Sequence, residues 1–295
     1  MKFIKYILAG ITLFIVISFI GCTVDTVDNS KEDKLTVAVA IVPEEEFVKA
    51  VAGDLVDIVT MIPPGNSPAN YKPSPREIEK FSRASIYFSM GVPTEEANII
   101  PKAKVFNKNL KIVSLAEKVG VVYPHRYFDN NTTGRRDPHI WLSPKRVKVM
   151  IEVIRDELSE LDPKNKSIYF KNASKYINKL DTIDEEIKAT FKEVNNKSFI
   201  VYHPSFGYFA EDYGLEMVAI EKSGKKATAK EVQRVVELAK EKGIKVIFYQ
   251  AEFDNEQAEI IANEIDGKVI EVAPLAPNYI ENLKVITDTF KQALK

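Results

Sequence analysis

From Leu35 onward the chain alternates short β-branched runs with longer amphipathic stretches. "KLTVAVAIV" (34–42) has no polar alternation, which predicts a strand buried on both faces of a parallel sheet. "PEEEFVKAVAG" follows, with Pro43 and three glutamates at a helix start and Gly53 at its end. "VDIVTMI" (56–62) predicts the next strand and "PREIEKFSRA" (75–84) the next helix. "SIYFSMG" (85–91) and "LKIVSLA" (110–116) continue the series. Strands separated by helices imply βαβ units and a parallel sheet.

The second half repeats the plan without letter-level similarity. "KSFIVYH" (197–203), "LEMVAI" (215–220), "IKVIFYQ" (244–250) and "KVIEVA" (268–273) predict strands. "SFGYFAEDYG" (205–214), "TAKEVQRVVELAKEKG" (228–243), "NEQAEIIANEIDG" (255–267) and the segment 279–295 predict helices. Between the halves, residues 162–194 run without an internal Gly or Pro after Asp162-Pro163, a cap and a helix opener. About 32 residues at 1.5 Å each give a helix of roughly 48 Å, longer than either small domain. One stiff helix is therefore expected to join the two. The fold class is α/β: two lobes, each a parallel sheet flanked by helices, bridged by one long backbone helix. The expected division is a signal peptide at 1–21, a flexible tether at 22–34, an N-terminal lobe at 35–160, a connecting helix at 161–196 and a C-terminal lobe at 197–295.

Composition adds little to this frame. The 295 residues are 45% hydrophobic, ordinary for a chain with a sizeable core, and 41 basic residues nearly cancel 42 acidic ones. Without a basic excess no nucleic-acid partner is expected. The N-terminus changes the picture. "MKFIKYILAGITLFIVISFIGC" has lysines 2 and 5, an apolar run from Tyr6 to Gly21, and then Cys22, the only cysteine. This has the form of an export signal. Cys22 after a small residue resembles a lipobox, in which the cysteine becomes the lipidated first residue; Phe19 stands where Leu is usual. A retained anchor helix is the other reading of the run. Either way the remainder is exported, and a chain with one cysteine forms no internal disulfide.

Two of the three histidines attract chemistry. His139 lies in "RDPHIWLSP" with the only tryptophan, and His203 lies in "VYHPSFGYF". Each adjoins a proline, and each is placed by the pattern at a strand-to-helix junction. Ligands of open α/β sheets bind outside the carboxyl ends of strands. If the lobes face each other, these imidazoles converge on a cleft and suit a borderline-soft divalent metal such as zinc. Taken singly, each histidine reads equally as a polar loop residue.

"DPHIWLSPKRV" and "HPSFGYFAEDYGL" resemble the signature segments of zinc/manganese-binding substrate-binding proteins of metal-ion ABC transporters. "PPGNSPANYKPSP" (63–75), "SIYFSMG", the long connecting helix and "PLAPNYIENL" (274–283) match that family in order and spacing. The resemblance covers nearly everything from Leu35 to Lys295. It implies a monomeric binding protein rather than an enzyme. Such a protein takes up Zn2+, or alternatively Mn2+, and delivers it to an ABC permease subunit. It also implies attachment through Cys22 to the outer face of the cytoplasmic membrane.

The departures from that family bear on the site. The usual first ligand histidine, in a P-G-x-x-P-H-x-Y segment, is here Ala69, with Asn70 beside it. The aspartate common before "P-L" is Ala273. A histidine-rich loop is replaced by "VYPHRYFDNNTTGRR" (122–136), with His125 alone. Glu252 in "YQAEFD" is the candidate replacement, ahead of Gln250, Glu271 and Asp254, giving His139, His203 and Glu252 with water completing the shell; it reads alternatively as a helix-end charge. Asn70 and His125 are possible accessory ligands, His125 also reading as a solvated loop residue. Three ligands and a water would also describe a catalytic zinc, but H-E-x-x-H, G-x-S-x-G and a Gly-rich phosphate loop are all missing. A binding module for another small solute, or a surface adhesin with a degenerate site, stays open.

Overall fold

The computed structural model describes residues 34–128, 134–221, 225–253 and 255–294. The signal segment, Cys22 and all but the last residue of the expected tether lie outside the described residues.

The first sheet is built from β1 (Leu35–Val39), β2 (Val56–Thr60), β3 (Ile86–Ser89) and β4 (Lys111–Ser114) in the order β2-β1-β3-β4. The second is built from β5 (Ser198–Val201), β6 (Glu216–Ala219), β7 (Val246–Tyr249) and β8 (Lys268–Glu271) in the order β6-β5-β7-β8. Every pairing is parallel. The two halves therefore share one topology, as the alternation predicts. Val37, Ala38 and Val39 of β1 are fully buried, as expected for a central strand covered on both faces. The same holds for β3 and β5.

Helices fill the crossovers. In the first half they are α1 (Val42–Ala52), α2 (Pro75–Phe81), α3 (Ile100–Phe106) and α4 (Leu115–Val122). Next come α5 (Pro144–Leu161) and α6 (Lys166–Lys192). The second half holds α7 (Gly207–Tyr213), α8 (Ala229–Glu241), α9 (Glu256–Glu264) and α10 (Tyr279–Ala293). The sequence pattern did not predict α3 or α4. "LKIVSLA" splits after Ser114, whose hydroxyl accepts the Glu117 N–H and so caps α4.

The connecting helix is shorter than expected. Pro163–Asn165 forms a 3-10 turn, and α6 then runs for 27 residues, about 40 Å at 1.5 Å each. Asp162 does not cap this helix through its side chain. Its carboxylate instead accepts from Asn165 Nδ2 and Tyr169 Oη at 2.7 and 2.6 Å, pinning the turn between α5 and α6. The inner face of α6, with Tyr169, Ala173, Tyr176, Leu180, Ile183 and Ile187, is buried.

One apolar core runs through both halves. Phe290 of α10 sits at its C-terminal end, 4.3 Å centroid to centroid from Phe248 and 4.7 Å from Phe199. Each such buried ring contributes roughly 1.5–3 kcal/mol of burial energy. The far side of the second sheet has its own smaller cluster around Ile200, Ile247 and Val235. Polar ties add to this joint. Arg146 of α5, buried, makes a 2.9 Å ion pair with Asp212 of α7.

Candidate metal centre

His203 follows β5 by two residues, and Gln250 follows β7 directly. β5 and β7 are neighbours whose onward connections diverge, so both residues stand at the switch point of the second sheet, where such sheets bind ligands. His139 arrives differently from the sequence expectation: it follows no strand. The chain leaves α4, doubles back through an antiparallel bridge between Tyr127 and Arg136, and reaches His139 at the start of a 3-10 turn (Ile140–Leu142) before α5. Hydrogen bonds from Phe128 N to Arg135 O and from Asp137 N to Arg126 O close that loop.

The two imidazoles meet, with His139 Nε2 3.2 Å from His203 Nε2. Each Nδ1 is held from behind by a buried carboxylate. His139 Nδ1 lies 2.7 Å from Asp137 Oδ1, and His203 Nδ1 lies 2.9 Å from Glu221 Oε2. Since an ionised carboxylate only accepts, these contacts assign the ring proton to Nδ1 and leave the Nε2 lone pairs facing each other. Two nitrogens on one tetrahedral zinc, each about 2.0–2.1 Å from it, stand about 3.3 Å apart. The observed spacing fits.

Electrostatics distinguish Asp137 and His203. Asp137 is fully buried, which alone would raise its pKa, yet His139 and its hydrogen bonds, with Arg126, hold it below the ordinary 3.8. Arg126 pairs with its second oxygen at 2.8 Å. Burial pushes His203 below the ordinary 6.5, with the Glu221 hydrogen bond opposing and His139 adding to the fall. A neutral imidazole with a fixed tautomer is the form that binds metal.

Aromatic and interdomain contacts fix the rings. Phe253 stacks on His203 at 4.1 Å and 16°. Trp141 lies 5.2 Å from His139 and donates from Nε1 to Pro274 O across the halves. Tyr208 of α7 accepts from Arg126 N and donates to Asp137 O, so the helix after His203 also supports the loop that carries His139. Gly207 lets this happen: a Cβ there would meet Arg126 Nη1 and Asp137 Oδ2 well inside contact distance.

Both histidines open onto a cavity of about 100 Å3. Ala69 and Gln250 line it, as do Arg135 and Arg136. Glu252 does not. β7 ends at Tyr249, so Gln250 takes the position facing the cleft, and the turn after it carries Glu252 away. There Glu252 Oε2 is buried without a hydrogen-bond partner among the described residues, and burial raises its pKa above the ordinary 4.5. Asn70 is exposed and outside the cavity lining. His125 packs against Gly120 of α4, also away from the cavity. No group of three or more His, Cys, Asp or Glu side chains able to hold a metal occurs among the described residues. The structure thus brings together His139, His203 and the lesser candidate Gln250, and adds Asp137 and Glu221. Asp137 carried a sequence signal, two residues before His139; Glu221 had none, because its partner is 18 residues away, beyond the end of the neighbouring strand. A larger open groove of about 790 Å3 lies between α1, α6 and α10 and contains no histidine.

Paired parallel sheets, a long helix and facing histidines in the cleft define the class of two-lobed metal-binding proteins. The chain belongs to the zinc-uptake complex component A periplasmic family, whose profile it matches over residues 37–293. It is 31% identical over 251 residues to the high-affinity zinc uptake system protein ZnuA of Bacillus subtilis, covering 81% of this chain and 78% of that one. It is 27% identical to the manganese ABC transporter substrate-binding lipoprotein PsaA of Streptococcus mitis, covering 86% and 85%. A zinc-binding AdcA of Streptococcus pyogenes shares 28% identity over 88% of this chain, which spans only 54% of that protein. A solved ZnuA structure superimposes with a TM-score of 0.84 at 32% identity, covering 89% of this chain and all of that one.

Proposed function

We propose that this protein captures a divalent transition metal outside the cytoplasmic membrane and delivers it to an ABC permease, as a binding protein and not an enzyme. Zinc is the first candidate and manganese the second. The observation that carries this reading is the 3.2 Å approach of two Nε2 atoms whose Nδ1 partners are both buried carboxylates. Carboxylate–histidine pairs of this kind are how metal sites fix ligand orientation. Imidazole ligands favour zinc; an oxygen-richer completion by Gln250 or water would favour manganese. In this reading 35–160 and 197–295 are the lobes, 161–196 joins them, and the protein acts as a monomer.

The test is calorimetric titration of zinc and manganese into chelator-treated protein. Wild type is expected to bind one zinc, and His139→Ala and His203→Ala to lose at least 100-fold in affinity. Glu252→Ala is expected to bind within about twofold of wild type, because its carboxylate lies outside the cavity. Absence of stoichiometric binding by wild type would sink the metal reading in favour of another solute or an adhesin.

The proposal also places a lipid on Cys22, supported by the sequence form of residues 1–22 and by lipoproteins among the relatives. Mass spectrometry of the membrane-extracted chain is expected to show a diacylglyceryl-modified N-terminal cysteine. An intact signal with a free thiol would refute the anchor.

A further inference from the structure

The protein supplies the cargo with few ligands, and the rest of the shell faces a cavity of particular character. We infer that the metal is bound as a ternary complex, its remaining coordination positions taken by a small chelating carboxylate seated in the cavity beside His139 and His203. This rests on the metal-capture reading above and names its cargo more closely.

Three observations support it. First, the metal-facing donors are neutral. Asp137 and Glu221 are both committed to imidazole Nδ1 atoms, and Asp137 also to Arg126. No third His, Cys, Asp or Glu joins the histidines among the described residues. A dication held by two imidazoles keeps its full charge, and a buried charge left uncompensated is costly. Second, the cavity tolerates an anion. Arg135 and Arg136 line it, Arg135 exposed and stacked over Phe128 at 5.1 Å. Arg136 Nη2 donates to the backbone carbonyls of Met90 and Gly91, which fixes its charge in the wall. Among the described residues, Glu96, which is exposed, is the only carboxylate in the lining. Third, much of the wall is apolar and can pack the carbon atoms of a small chelate. Pro68, Ala69, Val92, Pro93, Pro274 and Leu275 offer no side-chain donors, and Ser67, Gln250 and the two arginines stand beside them. The cavity of about 100 Å3 admits a two- or three-carbon carboxylate.

The experiment uses zinc and oxalate in a non-coordinating sulfonate buffer, with free zinc set by a competing indicator. Quenching of Trp141, which lies 5.2 Å from His139, reports occupancy. At matched free zinc, oxalate is expected to tighten zinc binding at least tenfold. Radiolabelled oxalate should co-elute with the protein about one to one when zinc is present. Arg135→Gln should cut that retention severalfold. Ala69→His, which restores a protein ligand in the cavity wall, should bind zinc tightly with or without oxalate. Equal zinc affinity in both buffers with no oxalate retained would overturn the ternary complex and leave a two-histidine, water-completed site. Oxalate retained without zinc would overturn it as well, since the anion would then be held by arginine alone. Failure to bind zinc in either buffer would instead bring down the metal reading itself.

Discussion

At the residue scale the orientation of the two imidazoles depends on the carboxylates behind them. Asp137 accepts from both the backbone N–H and the Nδ1 of His139, at 3.0 and 2.7 Å. Glu221 does the same service for His203 through one oxygen. Replacing either by an amide keeps the shape but lets the ring choose its tautomer. Asp137→Asn and Glu221→Gln are each expected to weaken zinc binding about 10–100-fold. Nitrogen NMR of the imidazoles separates this from misfolding: the Nδ1-protonated form should dominate in wild type and lose that dominance in the matching variant. An unchanged tautomer with unchanged affinity would mean that packing by Phe253 and Trp141 orients the rings unaided.

Elements set where those residues arrive. β5 is fully buried and short, so the chain leaves the sheet at Val201 and presents His203 two residues later. α7 then starts at Gly207, close against Asp137, and Tyr208 in its first turn bonds the loop of the other half. The sequence "HPSFGYFAEDYG" is therefore both a ligand segment and a brace, and only the ligand half of that role was legible in its letters. The helix over residues 166–192 was legible because no Gly or Pro interrupts the run before the next strand. Its start was not. Pro163 marks an N-terminus, but the tight 3-10 turn depends on Asp162 meeting Tyr169, a contact made only once the helix exists. Likewise "YQAEFD" offers a carboxylate, an amide and an aromatic near one strand end. Which of them faces the cleft follows from the last paired residue of β7, Tyr249, and that is a property of the sheet.

Over the whole molecule, a second acidic pair is buried away from the histidines. Glu44 of α1 and Glu95 are both fully buried, and each raises the other's cost of ionisation. Glu44 accepts from Ala40 N and Ile41 N, while its other oxygen has no partner among the described residues. Glu95 accepts from Tyr87 Oη and from the N–H groups of Met90, Gly91 and Val92, at the cavity wall. Burial pushes Glu95 from an ordinary 4.5 up to about 7 despite those bonds, and burial also raises Glu44 well above its ordinary value. Raised acids hold their protons more tightly folded than unfolded. Their contribution is thus fully present below about pH 4.5 and is lost as pH rises through about 7. Thermal melts of wild type are expected to lose on the order of 1–3 kcal/mol of stability across that window. Glu44→Gln, which cannot ionise, should flatten much of the slope. An equally steep slope in the variant would assign it to other groups.

The sequence by itself determined the α/β class, the matched halves, the long helix and the two histidines. These follow from local periodicity and from residue types whose chemistry does not depend on context. Only the tertiary structure decided how the histidines meet and what surrounds them. The 3.2 Å approach joins residues 64 positions apart. The cavity draws Gln250 in and leaves Glu252, Asn70 and His125 out. The physical reason is that a ligand is defined by where a lone pair points. That direction depends on strand ends, a loop closed by one antiparallel bridge, and carboxylates reaching across from distant segments.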